Sequence, residues 1–414
     1  MSTILAYTSP ARGHLYPAVA ILDELRRRGH RVAVRTLASE VPAMLARGFQ
    51  AAPIAPDIEA ISHDDWRAGN PRAALRRNVK VFTQRAHHDA NDLDQAIRAE
   101  RPDAVLVDVN AWGAVAAAEA WGGPWATFCP YPLPLPSRDV PPFGPGLPLA
   151  RGRLGRMRDR LLRPIVLGTL ERVMIPPINR VRAQRGLSAH RMIGEAFGRT
   201  ALLLYLTAEP FEYTRTDWPD NIVMVGPGTW EPPVEPPSWL DQIDRPLVLV
   251  TTSSEFQDDA RLVRTAFEAL ADEPVVVVAT LPGGDPATVR VPANGRLATF
   301  IPHGPVLDRA VCAVTHGGMG ATQKALARGV PVCAVPFGRD QYEVARRVEA
   351  ARAGSRLPAT RLNRDRLRAK VREAMTMAEG ARRIQQAFAA AGGASAAVDA
   401  IETRLLNAYR AAPS

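Results

Sequence analysis

Short runs of apolar residues alternate along the chain with longer segments in which apolar residues recur at helical spacing. In the first part of the chain the apolar runs are Ile4–Thr8, Val32–Val34, Ala104–Val109 and Trp125–Cys129. Two segments between them show helical spacing: one has Pro17 in its first turn and apolar Ile21, Leu22 and Leu25, and the other is Trp112–Trp121. This alternation is typical of a parallel sheet covered by helices on both faces.

Two proline-rich stretches interrupt the alternation. Eight prolines fall between Pro130 and Pro148, so this stretch is predicted to be a long loop rather than a helix or a central strand. The second stretch, Gly226–Pro237, has the composition of a stiff linker. The alternation resumes after it, with predicted strands at Leu247–Val250, Val275–Ala279, Val311–Val314 and Val332–Val335, a helix at Leu262–Leu270 and an extended segment at Arg296–Phe300.

The pattern therefore predicts two α/β domains, each a doubly wound, Rossmann-like sheet, that face a central cleft. We place the N-terminal domain at 1–225, the linker at 226–240, the C-terminal domain at 241–380 and a final helical segment at 381–414. The sequence leaves open whether that segment packs back on the N-terminal domain. A chain of 414 residues is long enough for two cores, and the cleft between such domains is the expected ligand site.

Composition narrows the class of protein. The chain has 46% apolar and 23% charged residues, which excludes a disordered tail, a collagen-like repeat and a disulfide scaffold. Its three cysteines are far apart and are expected to be reduced. The N-terminus has no export signal and no apolar run is long enough to span a membrane, so we expect a cytoplasmic protein. No nucleic-acid-binding module is recognisable.

The formal charge of +10 comes from 52 Lys and Arg against 42 Asp and Glu, and arginine is densest at 151–163. Leu154, Met157 and Leu161 lie among these arginines at helical spacing, which predicts a basic amphipathic helix. A solvated helix face is the simpler interpretation, and a membrane or acidic-partner surface is the alternative.

The segment Thr315–Leu326 carries the most informative motif. An apolar strand runs into His316-Gly317-Gly318-Met319-Gly320, and a helix is predicted to begin near Ala321. Glycines let backbone amides approach a ligand closely, and the start of a helix presents unpaired N–H groups at the positive end of its dipole. This arrangement suits a diphosphate; the alternative is that the glycines form only a tight connection between strand and helix.

Two further segments follow predicted strands of the same domain. Asp340 and Gln341 come after Val335 and place a carboxylate beside a carboxamide, a pair that can bind sugar hydroxyls. The alternative role of Asp340 is to cap the helix that begins at Gln341. The hydroxyl-rich turn Thr251–Ser254 can bind phosphate oxygens.

In the N-terminal domain, His14 lies in the loop after the first strand and Asp108 ends another strand. A carboxylate bonded to one imidazole nitrogen raises the basicity of the other, which can then take a proton from a hydroxyl. The residues alone leave open whether the two side chains meet. Asp92-Leu93-Asp94 and His87-His88-Asp89 have spacings seen in metal sites, but we expect them on a solvated helix face.

Taken together, these segments resemble the glycosyltransferase family 1 enzymes of the two-domain GT-B fold, especially actinomycete enzymes that glycosylate macrolides and enediynes. The resemblance covers nearly the whole chain. It is carried by Gly13-His14-x-x-Pro17 with Arg28–Val32, by His316–Gly320, by Gly329–Pro331 and by Pro336-x-x-x-Asp340-Gln341. Phe300-Ile301-Pro302-His303 stands where the family usually has Trp-x-Pro-Gln.

The resemblance implies a role for each matching residue. His14 is then the general base and Asp108 its orienting carboxylate. Asp340 and Gln341 bind the sugar. The diphosphate is surrounded by Ser254, His316, Gly318, Gly320 and Ala321, and the nucleobase is held by Phe300 and Ile301. The family inverts the anomeric carbon and needs no metal or other cofactor.

Three departures affect the expected donor. Lys324 stands where the family commonly has a glutamate that binds ribose hydroxyls, Ser253 replaces a frequent glycine and His303 a frequent glutamine. A lysine cannot accept those hydrogen bonds, so a dTDP-sugar, which has a deoxyribose, is one possible donor besides a UDP-sugar. Lys324 contacts phosphate or points to solvent on this view.

The resulting hypothesis is an inverting O-glycosyltransferase that moves a hexose or deoxyhexose from an NDP-sugar to a hydroxyl of an apolar small molecule. Pro130–Pro148 and Ser62–Asn78 are expected to shape the acceptor pocket. The alternatives are an NDP-sugar epimerase, a catalytically silent NDP-sugar-binding partner, and a membrane-surface enzyme with a lipid acceptor. The sequence gives neither the acceptor, the sugar nor the oligomeric state.

Overall fold

The computed structural model describes residues 1–408. Its N-terminal half contains one parallel sheet in the order β3-β2-β1-β4-β5-β6-β7. The strands are β1 Thr3–Tyr7, β2 Arg31–Thr36, β3 Gln50–Pro53, β4 Ala104–Asp108, β5 Trp125–Cys129, β6 Leu203–Tyr205 and β7 Ile222–Met224. The helices of this half are α1 Arg12–Arg27, α2 Val41–Ala46, α3 Pro56–Ala60, α4 Pro71–Glu100, α5 Trp112–Trp121, α6 Gly152–Ala183 and α7 Ile193–Gly198.

Alternate residues of each central strand point to opposite faces of this sheet, and helices cover both faces. Ile4 and Ala6 of β1 pack in a core with α1, whereas Leu5 and Tyr7 pack in a second core with α4 and α5. Strands buried on both faces explain the continuous apolar runs in the sequence.

The C-terminal half contains a second parallel sheet in the order β10-β9-β8-β11-β12-β13. Its strands are β8 Leu247–Thr251, β9 Val276–Thr280, β10 Gly295–Ala298, β11 Ala310–Thr315, β12 Val332–Ala334 and β13 Gly354–Arg356. Its helices are α8 Ala260–Leu270, α9 His303–Leu307, α10 Met319–Leu326, α11 Gln341–Ala350, α12 Arg364–Met375 and α13 Ala378–Ala390. The fold class is the predicted one, two parallel-sheet α/β domains.

Strand order reverses once in each sheet, between β1 and β4 in the first and between β8 and β11 in the second. Connections leave the two strands at such a point in opposite directions, which opens a crevice at their carboxyl ends. His14, Ser254 and His316 lie in the segments that follow β1, β8 and β11, and Asp108 is the last residue of β4. Topology therefore places the predicted base and the predicted diphosphate site at matching positions of the two sheets.

The final helical segment packs partly on the second domain and partly on the first domain. Ile384 and Phe388 of α13 pack in the core of the second sheet. Helix α14, Gly393–Ile401, instead packs Val398 and Ile401 in the core formed by α1 and the first sheet, and Arg28 pairs with Asp399 and Glu402 across this contact. A π-helical turn continues α14 over Glu402–Asn407. Residues 409–414 of the predicted segment lie outside the described part of the chain.

Several local expectations change in the structure. The acidic residues of the predicted solvated face are partly internal, because Asp89 and Asp92 of α4 are buried beside Tyr7 of β1. Burial raises the pKa of Asp89 and of Asp92. Across residues 1–408 no three or more His, Cys, Asp and Glu side chains are grouped as metal ligands are. In the same part of the chain, no helix combines the length and the apolarity that a membrane span requires.

Candidate active site

His14 and Asp108 meet at the carboxyl edge of the first sheet. His14 lies in the first turn of α1 rather than in the preceding loop, and Asp108 is the last residue of β4. The His14 Nδ1 atom is 2.7 Å from Asp108 Oδ2, and the carboxylate is fully buried. The backbone N–H groups of Ser9 and Asn110 donate to the two Asp108 oxygens at 3.2 and 2.9 Å. These bonds fix the carboxylate, which in turn favours the tautomer with its proton on Nδ1 and a free lone pair on Nε2.

Asn110 and Tyr131, which sequence reasoning missed, extend this pair. Asn110 Nδ2 is 3.3 Å from His14 Nε2, and the Tyr131 hydroxyl donates to Asn110 Oδ1 at 2.7 Å. An amide N–H at Nε2 is compatible with the neutral imidazole. The available signal was the position of Asn110, two residues after a candidate catalytic aspartate at a strand end.

Charged groups of both domains affect the pKa of His14. Burial lowers the pKa of His14, but the charge and hydrogen bond of Asp108 outweigh this effect and raise the pKa above its ordinary value. The charges of Asp340 and Glu255, both in the second domain, raise the pKa further. Charges of both domains therefore act on His14, and the net effect makes it a stronger base than an isolated histidine.

The glycine turn after β11 has the geometry of an anion site. Gly317 adopts a positive φ of 84°, and Gly318 is the N-cap of α10. A side chain at Gly318 is excluded, since its Cβ would lie 2.2 Å from His316 Nε2. The helix begins at Met319, two residues earlier than predicted, so Gly320 and Ala321 lie in its first turn.

The turn is partly exposed rather than sealed inside the protein. Gly318, Gly320 and Ala321 are partly exposed, and a Cβ at Gly320 would meet no protein atom within 4 Å. His316 is buried, and burial lowers its pKa, so its ring is neutral at physiological pH. Backbone amides and the helix dipole are therefore the main source of positive potential at this turn.

Asp340 and Gln341 end up in different environments. Asp340 is the N-cap of α11, yet in the described residues its carboxylate accepts no capping hydrogen bond from the first turn. The alternative capping role is thus absent at the side-chain level, and the carboxylate is available to a ligand. Burial raises the pKa of Asp340.

Gln341 is buried, and its side-chain amide hydrogen-bonds to other groups of the protein. Its Oε1 accepts N–H bonds from Phe337 and Gly338, and its Nε2 donates to Gln257 at 2.7 Å. Gln257 in turn donates to Asp259, which also accepts the Ser253 N–H. These bonds tie the loop before α11 to the hydroxyl-rich turn after β8, where Ser254 is exposed. The role of Gln341 in sugar binding stays a prediction.

Two contacts cross the cleft beside this loop. Arg339, at a positive φ of 54°, forms a bidentate ion pair with Asp65 of the first domain at 2.9 and 3.0 Å. Next to it, Trp66 and Phe256 stack edge to face with ring centroids 5.0 Å apart. The segment 62–78 predicted to border the acceptor therefore touches both loops of the predicted donor site.

The predicted nucleobase site lies at Phe300 and Ile301, between β10 and α9. The Phe300 side chain is 45% exposed and is accessible for stacking, whereas the Ile301 side chain is buried.

Lys324 is largely buried and has a partner within the protein. Its Nζ atom pairs at 3.0 Å with Glu231 of the proline-rich linker. Glu231 also accepts the N–H groups of His303 and Gly304 at the start of α9. Burial lowers the pKa of Lys324, while Glu231 opposes the shift. Burial and the charge of Lys324 lower the pKa of His303 to about 4.

A row of aromatic rings lines the first domain next to the base. His63 and Phe82 have centroids 5.5 Å apart, and Phe82 and Trp112 lie 5.3 Å apart. Trp112 begins α5, two residues after Asn110. Burial, reinforced by the charge of Arg85, lowers the pKa of His63 to about 4, so this ring is also neutral. The row is a weakly polar surface suited to an apolar or aromatic ligand.

The chain is similar to known proteins in both sequence and structure. Residues 264–402 match the family described as Erythromycin biosynthesis protein CIII-like, C-terminal domain. The chain is 33% identical to the 4'-demethylrebeccamycin synthase of Lentzea aerocolonigenes, over 96% of this chain and 98% of that protein. It is 25% identical to the demethyllactenocin mycarosyltransferase of Streptomyces fradiae, over 97% of this chain and 86% of that protein.

Solved structures support the same assignment at the level of the fold. The calicheamicin glycosyltransferase CalG4 superposes with a TM-score of 0.72 at 23% identity and covers 100% of both chains. The spinosyn rhamnosyltransferase SpnG, complexed with spinosyn aglycone, superposes with a TM-score of 0.72 at 18% identity, over 97% of this chain and 100% of that chain. The chain therefore belongs to the glycosyltransferases of actinomycete natural-product biosynthesis, and it is a sugar-transferring enzyme with the two-domain GT-B fold.

Proposed function

We propose that the enzyme is an inverting O-glycosyltransferase that joins a hexose or deoxyhexose from a dTDP- or UDP-sugar to a hydroxyl of an apolar small molecule. One observation carries this proposal. The His14–Asp108 pair of the first domain lies within electrostatic reach of Asp340 in the second domain, so that a base faces a candidate sugar-binding carboxylate across the cleft.

The base step follows from the geometry of His14. The acceptor hydroxyl replaces the Asn110 amide at Nε2 and gives its proton to that atom as its oxygen bonds to the anomeric carbon. The imidazolium that forms is stabilised by Asp108, whose oxygen is already 2.7 Å from Nδ1. Attack from the side opposite to the leaving group inverts the anomeric centre.

The leaving group departs toward the glycine turn. The bond between the anomeric carbon and the diphosphate oxygen breaks, and negative charge grows on that oxygen. Amides in the first turn of α10 and the dipole of that helix stabilise this charge more in the transition state than in the bound donor. The step as written needs neither a metal ion nor another cofactor.

The donor and acceptor classes rest on side chains around this centre. Asp340 has a carboxylate free for sugar hydroxyls, and the exposed Phe300 ring is free to stack on a base. The mutual pairing of Lys324 and Glu231 removes a free carboxylate from the ribose position, which favours a deoxyribose nucleotide. On the acceptor side, Phe82 and Trp112 favour an apolar or aromatic aglycone.

The test combines the purified enzyme with dTDP- and UDP-sugars and a panel of hydroxylated polyketide and aromatic acceptors, with products detected by mass spectrometry. The anomeric configuration of the product is read by proton NMR. His14→Ala is expected to lower turnover about 10²- to 10⁴-fold and to leave nucleotide binding unchanged in a thermal-shift assay. His87→Ala, on the exposed side of α4, is the matched control and keeps full activity.

Three outcomes would contradict the proposal. Consumption of the NDP-sugar without any acceptor indicates an epimerase or hydrolase instead. Nucleotide binding with no transfer to any acceptor indicates a silent binding protein. Retained configuration at the anomeric carbon excludes the direct displacement.

A further inference from the structure

Helix α6 presents a row of large apolar side chains to solvent. Leu154, Met157, Leu161 and Ile165 are 55% to 77% exposed, whereas most residues of this size are buried in the two cores. They are spaced by three, four and four residues, so they form one continuous stripe along the helix. Such a contiguous apolar face on a surface helix marks an interaction site more often than a scattering of single apolar residues does.

Positive charge flanks this stripe. Residues 151–163 contain six arginines and one acid, so their net charge is 6 − 1 = +5, half of the +10 of the whole chain. Asp159, the acid, is buried and bound to Arg158. Arg153, Arg156 and Arg160 are exposed and lie along one side of the stripe. The outer surface is thus apolar in the middle and basic at its edge.

We propose that this face of α6, Leu154 to Ile165, docks on an anionic lipid bilayer. The apolar side chains enter the headgroup–acyl boundary, and the arginines keep their guanidinium groups among the phosphates. A second copy of the chain fits poorly, because a twofold contact would set two clusters of +5 against each other.

Docking through α6 also orients the first domain relative to the membrane. Arg158 and Arg163 donate to the backbone of Pro148 and Val140, which holds α6 against the proline-rich segment. Docking therefore sets the side of the first domain that carries the 130–148 segment against the lipid, where apolar acceptors concentrate. This consequence rests on the proposed function, whereas the docking itself does not.

The test is sedimentation of the full chain with vesicles, which requires no enzyme activity. We expect the wild type to sediment with mixed phosphatidylcholine and phosphatidylglycerol vesicles and to stay in solution with phosphatidylcholine alone. Two triple variants are expected to bind the anionic vesicles about 100-fold more weakly: Arg153→Glu/Arg156→Glu/Arg160→Glu, and Leu154→Ser/Leu161→Ser/Ile165→Ser. Thermal unfolding checks that both variants are folded.

A matched control tests whether vesicle binding depends on α6 itself or only on the net charge of the protein. Arg264→Glu/Arg290→Glu/Arg366→Glu changes the charge by the same amount at exposed positions of the second domain and should keep wild-type binding. Equal loss in this control, or no sedimentation of the wild type at low salt, overturns the proposal. Absence of vesicle binding combined with arginine-dependent retention on poly-glutamate would assign the face to an acidic protein instead.

Discussion

Replacing Asp108 by asparagine tests the proposed catalytic pair most directly, because the change keeps the shape of the side chain and removes its charge. Three groups converge on Asp108: the N–H of Asn110 donates to Oδ1, the N–H of Ser9 donates to Oδ2, and His14 Nδ1 lies 2.7 Å from Oδ2. An asparagine has one acceptor oxygen for these two positions. With its oxygen toward His14, its NH₂ opposes the Asn110 N–H. With the oxygen reversed, its NH₂ opposes the Ser9 N–H and forces His14 Nδ1 to accept.

Both orientations of the asparagine weaken the base. The reversed orientation puts the His14 proton on Nε2, where it blocks proton transfer. The other orientation keeps the tautomer but loses the charge that stabilises the imidazolium. General-base catalysis contributes about 10²- to 10⁴-fold, which corresponds to about 3 to 5 kcal/mol of activation free energy. We therefore expect turnover of Asp108→Asn to fall within this range.

The pH dependence has a definite sign. His14 acts as a base only when neutral, and its pKa lies above the ordinary 6.5 because of Asp108. Wild-type kcat/KM should thus rise with pH through a value above 6.5, and in Asp108→Asn this limb should move to lower pH. The raised pKa also means that the pair stabilises the fold fully below 6.5 and that this contribution is lost as pH rises through the folded-state pKa.

The assay is the pH profile of sugar transfer, together with nucleotide binding and thermal unfolding at each pH. Asp94→Asn is the matched control, since Asp94 pairs with Arg185 on the partly exposed side of α4. Unchanged turnover, or an acid limb that stays in place while turnover falls, would refute the role of Asp108. Loss of nucleotide binding in step with turnover would mean that the variant disturbs the fold rather than the base.

Two further predictions concern the second domain. Gly318→Ala places a methyl group 2.2 Å from His316 Nε2, so we expect nucleotide affinity, measured by calorimetry, to fall at least about tenfold. Gly69→Ala is the control and should keep wild-type affinity, because its new methyl group has no neighbour within 4 Å. Equal affinity in both variants would show that the glycine turn is not part of the nucleotide site. Glu231→Gln leaves the Lys324 ammonium half-buried without a counterion, which should cost about 2 kcal/mol of unfolding free energy. The double variant Glu231→Gln/Lys324→Met should recover most of this loss, and a strictly additive result in denaturant unfolding would contradict the pairing.

Much of the fold was present in the sequence pattern. Trp112–Trp121 and Trp125–Cys129 were predicted with the bounds that the structure has, since a short apolar run is typical of a buried strand and an alanine-rich segment favours a helix. The start of α11 at Gln341 was also predicted. The long helices were harder to predict from the sequence, because α4 and α6 are largely polar. Helix α6 also runs through Pro164, Pro176 and Pro177, and proline normally interrupts a helix.

The sequence by itself identified the candidate site residues, because a histidine after a strand, an aspartate at a strand end and a glycine turn before a helix are local patterns. Only the tertiary structure decided which partners they have. It brought Asp108 to 2.7 Å from His14, 94 residues away in the chain, and added Asn110 to the same imidazole. It also paired Lys324 with Glu231 and buried Asp89 and Asp92 against Tyr7. These contacts join segments far apart in sequence, so they depend on strand order and domain packing. Local periodicity cannot predict them, because it reflects only the secondary structure of each segment.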